Sequence, residues 1–330
     1  MKLANPFIRL PFKFDASKLK EEIVCLDNSA WMPHPLNLAG NFAVALISRE
    51  GNDNDEFGGL MKTTSHLEKC PYHQQVMSSF DEVLARSRLM KLDAGCEISS
   101  HVDFNYHWFS RVRIHIPIIT NPDVIFYCGD EELNMRAGDC WIFDNWRRHR
   151  VTNNSDQNRI HLVIDLAGSS RFWRMVRDVM QYNPEDEAGF DALARTVKFE
   201  PDQQVSISTE KYNISPVMSP GEINSLVNSV IADFDNHPDN DPQLSEQYKI
   251  LLTDFSSDWR EIWHQHGIQP EGIPQYRQLI DRVTRSLHPN RRALITGSNE
   301  IGVNPIIMQR ILGPALAINM YDQFIKGVED

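Results

Sequence analysis

The run Arg111-Val112-Arg113-Ile114-His115-Ile116 alternates strictly, with two arginines and a histidine on one side and Val112, Ile114 and Ile116 on the other. A period of two is that of a β-strand, whose successive side chains point to opposite faces. Similar runs lie on either side: Phe42 to Ile47, Ser87 to Leu92, Val124 to Cys128, Cys140 to Phe143 and Arg159 to Leu166, separated at short spacing by Gly, Asn and Asp. Many short strands with turn residues between them predict a sandwich or barrel. The basic face of the first run then has two readings, an anion site facing a barrel lumen or a solvated outer face.

Further out the texture changes. Phe7 to Phe14 reads as a short strand, and Asp15 or Ser17 can cap a helix through Leu19, Ile23 and Leu26. After Pro201 apolar residues recur at helical spacing over Ser219 to Phe234, Leu244 to His264 and Gln275 to Leu287, with caps expected at Ser219 and Ser245. The expected organisation is a β-domain over residues 1–200 and a helical region over residues 201–330. That region carries no cluster of metal-type residues, so it is expected to cover the barrel mouth, build a homodimer contact or serve as a stabilising appendage. The acidic stretches Asp53, Asp55, Glu56 and Asp233 to Asp241 lack calcium-loop spacing and read as solvated loops.

The chain has 330 residues, with 33 Lys and Arg against 45 Asp and Glu for a net charge of −12. No basic block offsets that charge, which argues against nucleic-acid backbone binding, so a basic site must be small and enclosed. Cys25, Cys70, Cys96, Cys128 and Cys140 form no C-x-x-C pair, which argues against a disulfide framework or structural zinc. Met1 to Leu10 has no apolar core of signal-peptide length and no later stretch approaches a membrane span. The expectation is a mature, soluble, cytoplasmic protein with reduced thiols and no membrane partner.

The segment Ser99-Ser100-His101-Val102-Asp103-Phe104 carries the chemistry. In an extended strand it places the His101 imidazole beside the Asp103 carboxylate. His149 opens another strand-like run, and two histidines with one carboxylate are the facial triad of non-haem Fe(II) oxygenases, which leaves coordination positions open. An ordinary surface pair is the plainer reading of His101 and Asp103 alone. Asn153 to Asn158 reads as a hairpin turn, and folding back there would bring Arg159, whose guanidinium can grip a carboxylate, near His149. Asn105, Tyr106, His107 and Trp108 read either as pocket lining or as packing. His161 shares the face of Arg159 and reads as an outer hydrogen-bond donor rather than a ligand, while Cys128 and Cys140 read as inert core thiols.

From about Arg88 to Asp165 the chain resembles the aspartyl/asparaginyl β-hydroxylase-like Fe(II)/2-oxoglutarate dioxygenases, in particular the bacterial proline 3-hydroxylase-like branch. The resemblance is carried by Gly95, His101, Arg113-Ile114-His115, Met135-Arg136-Ala137-Gly138-Asp139-Cys140-Trp141-Ile142-Phe143-Asp144, His149, Arg159 and Asp165, in order. Weaker likeness extends back to Leu10-Pro11-Phe12-Lys13-Phe14-Asp15. It implies an α+β protein with a double-stranded β-helix core of the jelly-roll, cupin-like kind. It also implies Fe(II) held by His101, Asp103 and His149, the distal carboxylate of 2-oxoglutarate on Arg159, and O2 as the second cosubstrate. Arg113 and His115 fall where the family contacts 2-oxoglutarate or a substrate carboxylate, with Arg111 and Asn105 as further substrate contacts. Two departures stand out: Asp103 replaces the Gly of the animal peptide hydroxylases, and Met90 stands at a family serine, a contact that is then either lost or replaced, with Arg88 as the candidate replacement. A carboxylate at Asp103 leaves no position for halide and favours hydroxylation.

The expected activity is therefore oxidative decarboxylation of 2-oxoglutarate to succinate coupled to hydroxylation of an amino acid, an amino-acid derivative or a peptide bearing a carboxylate. Two other classes compete: a non-catalytic β-barrel sensor or binding protein, and a metal-dependent hydrolase, which leaves Arg159 unexplained.

Overall fold

The computed structural model describes residues 1–35, 38–182, 186–235 and 237–320. By internal packing the chain divides into one unit of Met1–His101 with Ser110–Lys211 and a second of Val102–Phe109 with Tyr212–Asp330.

In the first unit two antiparallel sheets alternate along the chain. The larger runs, strand by strand, Phe7–Arg9, Trp141–Phe143, Val112–Ile119, Arg159–Leu166, Leu84–Leu92, Asn41–Arg49 and Met32–Pro33, with Met61–Thr63 also paired to Asn41–Arg49. The smaller runs Glu131–Leu133, Val124–Cys128, His149–Asn153 and Glu97–His101. Between Val112 and Leu166 the chain passes repeatedly from one sheet to the other, the winding of a double-stranded β-helix, and with its helices the protein is α+β.

Register explains why the strands alternate. Leu162 stands opposite Ile116 and Leu89, and Ile164 opposite Ile114. This aliphatic face joins Leu19, Ile23, Val76, Phe172 and Val176 from the helices Ala16–Val24, Pro71–Ser78 and Ser170–Val179 in one core. Burying each such side chain contributes roughly 1.5–3 kcal/mol. On the other face His161 stands opposite Met90, and Val163 opposite both His115 and Arg88. His115 makes ring contacts with Phe126 of the smaller sheet and is itself buried, so the basic face of residues 111–116 is turned inward.

Several expectations need correction. The Phe7–Phe14 strand breaks into Phe7–Arg9 and Phe12–Phe14 around Pro11, which has no N–H to give a ladder. Asp15, not Ser17, caps the first helix, accepting from the amides of Ser17 and Lys18 at 3.0 Å each. Asn153 to Asn158 is a tight Asn/Ser turn but not a hairpin, because His149–Asn153 and Arg159–Leu166 belong to different sheets. The β-unit also runs past Pro201, since Ser208 and Glu210 hydrogen-bond to the Leu84 backbone and Glu210 to Met61.

The second unit contains the helices Pro220–Phe234, Pro242–His266 and Ile273–Ser286. Ser219 caps the first as expected, whereas Asp241 caps the second and Ser245 lies buried inside it. Trp259 anchors their packing, with its ring 4.4 Å from Tyr276 and its indole N–H bonded to the Met218 carbonyl at 2.9 Å. A π-helical turn, Ile307–Leu312, presents Arg310, whose Nε donates to the Phe104 carbonyl at 3.0 Å and whose guanidinium lies 5.4 Å from the Phe109 ring. Tyr106 on the same short segment donates its hydroxyl to Glu222. Among the described residues no helix is long and apolar enough to cross a membrane.

Candidate metal centre and cosubstrate pocket

His101 and His149 are direct partners across the ladder of Glu97–His101 and His149–Asn153, so their side chains leave the same face. Their ring centroids are 4.1 Å apart. Ligand atoms of His101, Asp103 and His149 all lie within 4.8 Å of one another, a separation one metal ion can span. The tautomers suit the task. The Nδ1 of His101 lies 2.8 Å from the Ser99 carbonyl and that of His149 lies 2.9 Å from the Arg147 carbonyl. A carbonyl only accepts, so each Nδ1 carries the hydrogen and each Nε2 keeps its lone pair for a metal.

Inside the sheet pair lies a cluster of buried nitrogen groups. Arg159 is 2% exposed, its Nε has no hydrogen-bond partner, and its Nη1 makes only a 3.5 Å contact to the Met90 carbonyl. Among the described residues it has no carboxylate partner. Burial alone pushes its pKa down to about 9, and its guanidinium lies 5.0 Å from the Phe126 ring. His115 and His161 flank it, fully enclosed, with no hydrogen bond at either ring nitrogen. Burial, then the charges of Arg113 and Arg159 on His115 and of Arg159 on His161, hold both rings well below the usual histidine range and therefore neutral. Phe143 contacts both His115 and His149, at 5.2 and 4.9 Å between centroids, and so links this pocket to the metal ligands.

A buried cation without an anion, linked through Phe126, His115 and Phe143 to a His/Asp/His site, is an arrangement an anionic ligand can complete. Residues 16–168 match the aspartyl/asparaginyl β-hydroxylase family. Within the matched stretch, His101 and His149 together with Asp103 form a donor set of the kind that can hold Fe(II). Similar solved structures include a 2OG-Fe(II) oxygenase family oxidoreductase from Burkholderia pseudomallei, 13% identical over 49% of this chain and 85% of that one, with a TM-score of 0.35. A prolyl hydroxylase from Trichoplax adhaerens, in complex with a hypoxia-inducible-factor peptide fragment, is 12% identical over 49% and 83%, with a TM-score of 0.36. No curated protein sequence matches the chain.

Within this β-hydroxylase region the other expected residues have defined partners. Arg113 grips Asp165 through Nε and Nη2 at 2.9 and 3.3 Å. Arg111 grips Glu210 at 2.8 and 2.9 Å. Asn105 accepts from the Trp108 amide at 3.3 Å, a local cap of the turn Tyr106–Ser110. Arg88 pairs with Asp55, which also takes Arg86 at 2.8 Å, so Arg88 too has an internal anion beside the Met90 position. Cys128 is pushed up to about 12 and Cys140 well above its ordinary value, both chiefly by burial, in keeping with inert thiols.

Glu210, Asp55 and Arg86 escape a reading by motif, and Asp165, which the resemblance includes, receives no role from it, because their roles depend on partners far away in sequence. Arg86 is buried, with Phe57 covering its guanidinium at 3.8 Å and its pKa pushed down to about 9 by burial and then by Arg88. Its alternation with Arg88 was the only signal available. A second cluster, Glu22, Cys70 and His73, also groups metal-type atoms. There Glu22 accepts from the amides of Tyr72 and His73 at 2.7 and 3.0 Å and contacts His73 Nδ1 at 2.7 Å. That geometry is a carboxylate capping the helix Pro71–Ser78.

Proposed function

We propose that this protein hydroxylates an amino acid, an amino-acid derivative or a peptide that bears a carboxylate, using Fe(II), 2-oxoglutarate and O2. The observation that carries the reading is the buried, anion-free Arg159, joined to the His101, Asp103 and His149 cluster through the rings of Phe126, His115 and Phe143. A dicarboxylate whose 2-oxo end reaches the metal and whose far end reaches Arg159 would satisfy both requirements. The stoichiometry is 2-oxoglutarate, O2 and a substrate C–H bond giving succinate, CO2 and a C–OH bond. Bound Fe(II) supplies the oxidative chemistry.

The chain's own residues supply position and charge. His101, Asp103 and His149 would hold the metal, and Arg159 would fix the far carboxylate with charge-assisted hydrogen bonds. His115, neutral and enclosed, would offer an uncharged N–H from the same wall. Arg113, held in place by Asp165, backs His115 on its own strand and keeps the pocket positive. Free thiols at all five cysteines accord with a cytoplasmic setting. The second unit would act as a cover for substrate or as a self-association surface.

Succinate release on mixing the protein with Fe(II), 2-oxoglutarate and air is the direct test, followed by a metabolite-library screen for products heavier by one oxygen atom. His149→Ala should abolish succinate release while leaving the protein folded. Tight 2-oxoglutarate binding with no succinate under any substrate would favour a sensor, and absence of both binding and turnover would overturn the reading.

A further inference from the structure

We infer that His161 is a second binding group for the far carboxylate of the cosubstrate, acting beside Arg159. The inference rests on the function proposed above and adds a residue to it. His161 is 0% exposed and neither ring nitrogen has a hydrogen-bond partner. Leaving a buried polar group unsatisfied costs about 1–3 kcal/mol, a penalty that an aliphatic residue such as Val163, next on the same face, avoids. The ring is placed for a ligand rather than for the fold. It sits two residues from Arg159 on one strand, so both side chains leave the same face. Both also lie against Phe126, His161 stacked at 5.3 Å and 18° between planes and Arg159 at 5.0 Å.

The chemistry of the pair suits one carboxylate. A neutral imidazole carries a single N–H, and a guanidinium carries several. A carboxylate entering this wall would take a charge-assisted bond from Arg159 and a neutral one from the single N–H of His161, relieving the orphaned Nε of Arg159 and one of the two orphaned ring nitrogens of His161. Met90, opposite His161 in the ladder, offers only its carbonyl, which faces Arg159. No other polar side chain in ring contact competes except His115, whose centroid is 5.8 Å away.

The test compares two 2-oxo acids on the full-length, Co(II)-loaded protein by titration calorimetry: 2-oxoglutarate, and pyruvate, which lacks the far carboxylate. His161→Leu should weaken 2-oxoglutarate at least tenfold and leave pyruvate within twofold, whereas His161→Gln, which keeps an N–H donor, should recover part of the loss. Removing an orphaned polar group should not unfold the protein, and the glutamine variant guards against that outcome. Equal weakening of both acids would assign His161 a merely structural role, and unchanged binding of both would leave an ordered water as its partner; either result overturns the inference. If Arg159→Ala weakens 2-oxoglutarate but His161→Leu does not, only this inference fails. If the wild-type protein binds neither acid, the proposed function fails with it.

Discussion

Replacing Arg159 with methionine should make the protein more stable and less able to bind its cosubstrate. The reasoning begins with the cost of the charge. Burial alone lowers this arginine from 12.5 to about 9. At 1.36 kcal/mol per pH unit that corresponds to a penalty on the order of 5 kcal/mol for keeping the guanidinium charged at neutral pH. Water and small rearrangements relieve part of it, and exchanges of buried ionic groups for apolar ones of similar volume are typically neutral to about 1–4 kcal/mol stabilising. A gain of about 2 kcal/mol would raise the melting temperature of a unit this size by roughly 4–8 °C. Wild-type protein loaded with Co(II) should gain a further 2.7 kcal/mol or so when 2-oxoglutarate is added at a hundred times its Kd. Arg159→Met should start higher and gain nothing. Differential scanning fluorimetry with and without 2-oxoglutarate reads both effects in one experiment. A variant that melts lower than wild type and still shifts with 2-oxoglutarate would refute the argument, because Arg159 would then be a structural cation with an internal partner.

Two other outcomes follow from the same geometry. Because the carboxylate binds the protonated guanidinium, the Kd for 2-oxoglutarate should be flat below pH 9 and weaken by up to tenfold per pH unit above it, as free Arg159 loses its proton near 9; calorimetry from pH 7 to 10 checks this. Arg310→Gln removes the bond to the Phe104 carbonyl, next to Asp103, and should weaken metal binding several-fold, an effect that should vanish in an Asp103→Ala background if Arg310 acts through that ligand.

The candidate metal-holding residues were more legible in the sequence than the charges around them. His101 ends the strand Glu97–His101 with Asp103 two residues on, and the tautomers of His101 and His149 are set by carbonyls two residues back, all local facts. Arg159 was legible as a cation on a strand, but its importance comes from the absence of a counter-ion, which only packing defines. For the same reason Arg111 and Arg113 look alike in sequence, yet their partners lie 99 and 52 residues away. The two faces of Arg111 to Ile116 were plain, while the choice between lumen and solvent required the second sheet. The turn at Asn153 to Asn158 misled because its residues specify a reversal without specifying which sheet receives the next strand. Nothing local announces the π-helical turn of Arg310 or its hold on Phe104, a contact 206 residues apart.

The segment Val102–Phe109 packs with residues that begin at Tyr212, so a ribosome completes the β-unit before the partners of the Asp103 segment exist. Arg310, which holds Phe104, comes about a hundred residues after Lys211, which at 5–20 residues per second is an interval of roughly 5–20 s. During it His101 and His149 can already be paired across their ladder, while the third ligand waits on an unfinished segment. Iron captured in that interval would be held by two imidazoles and readily lost, so stable loading would wait for the segment that carries Asp103 to find its packing partners.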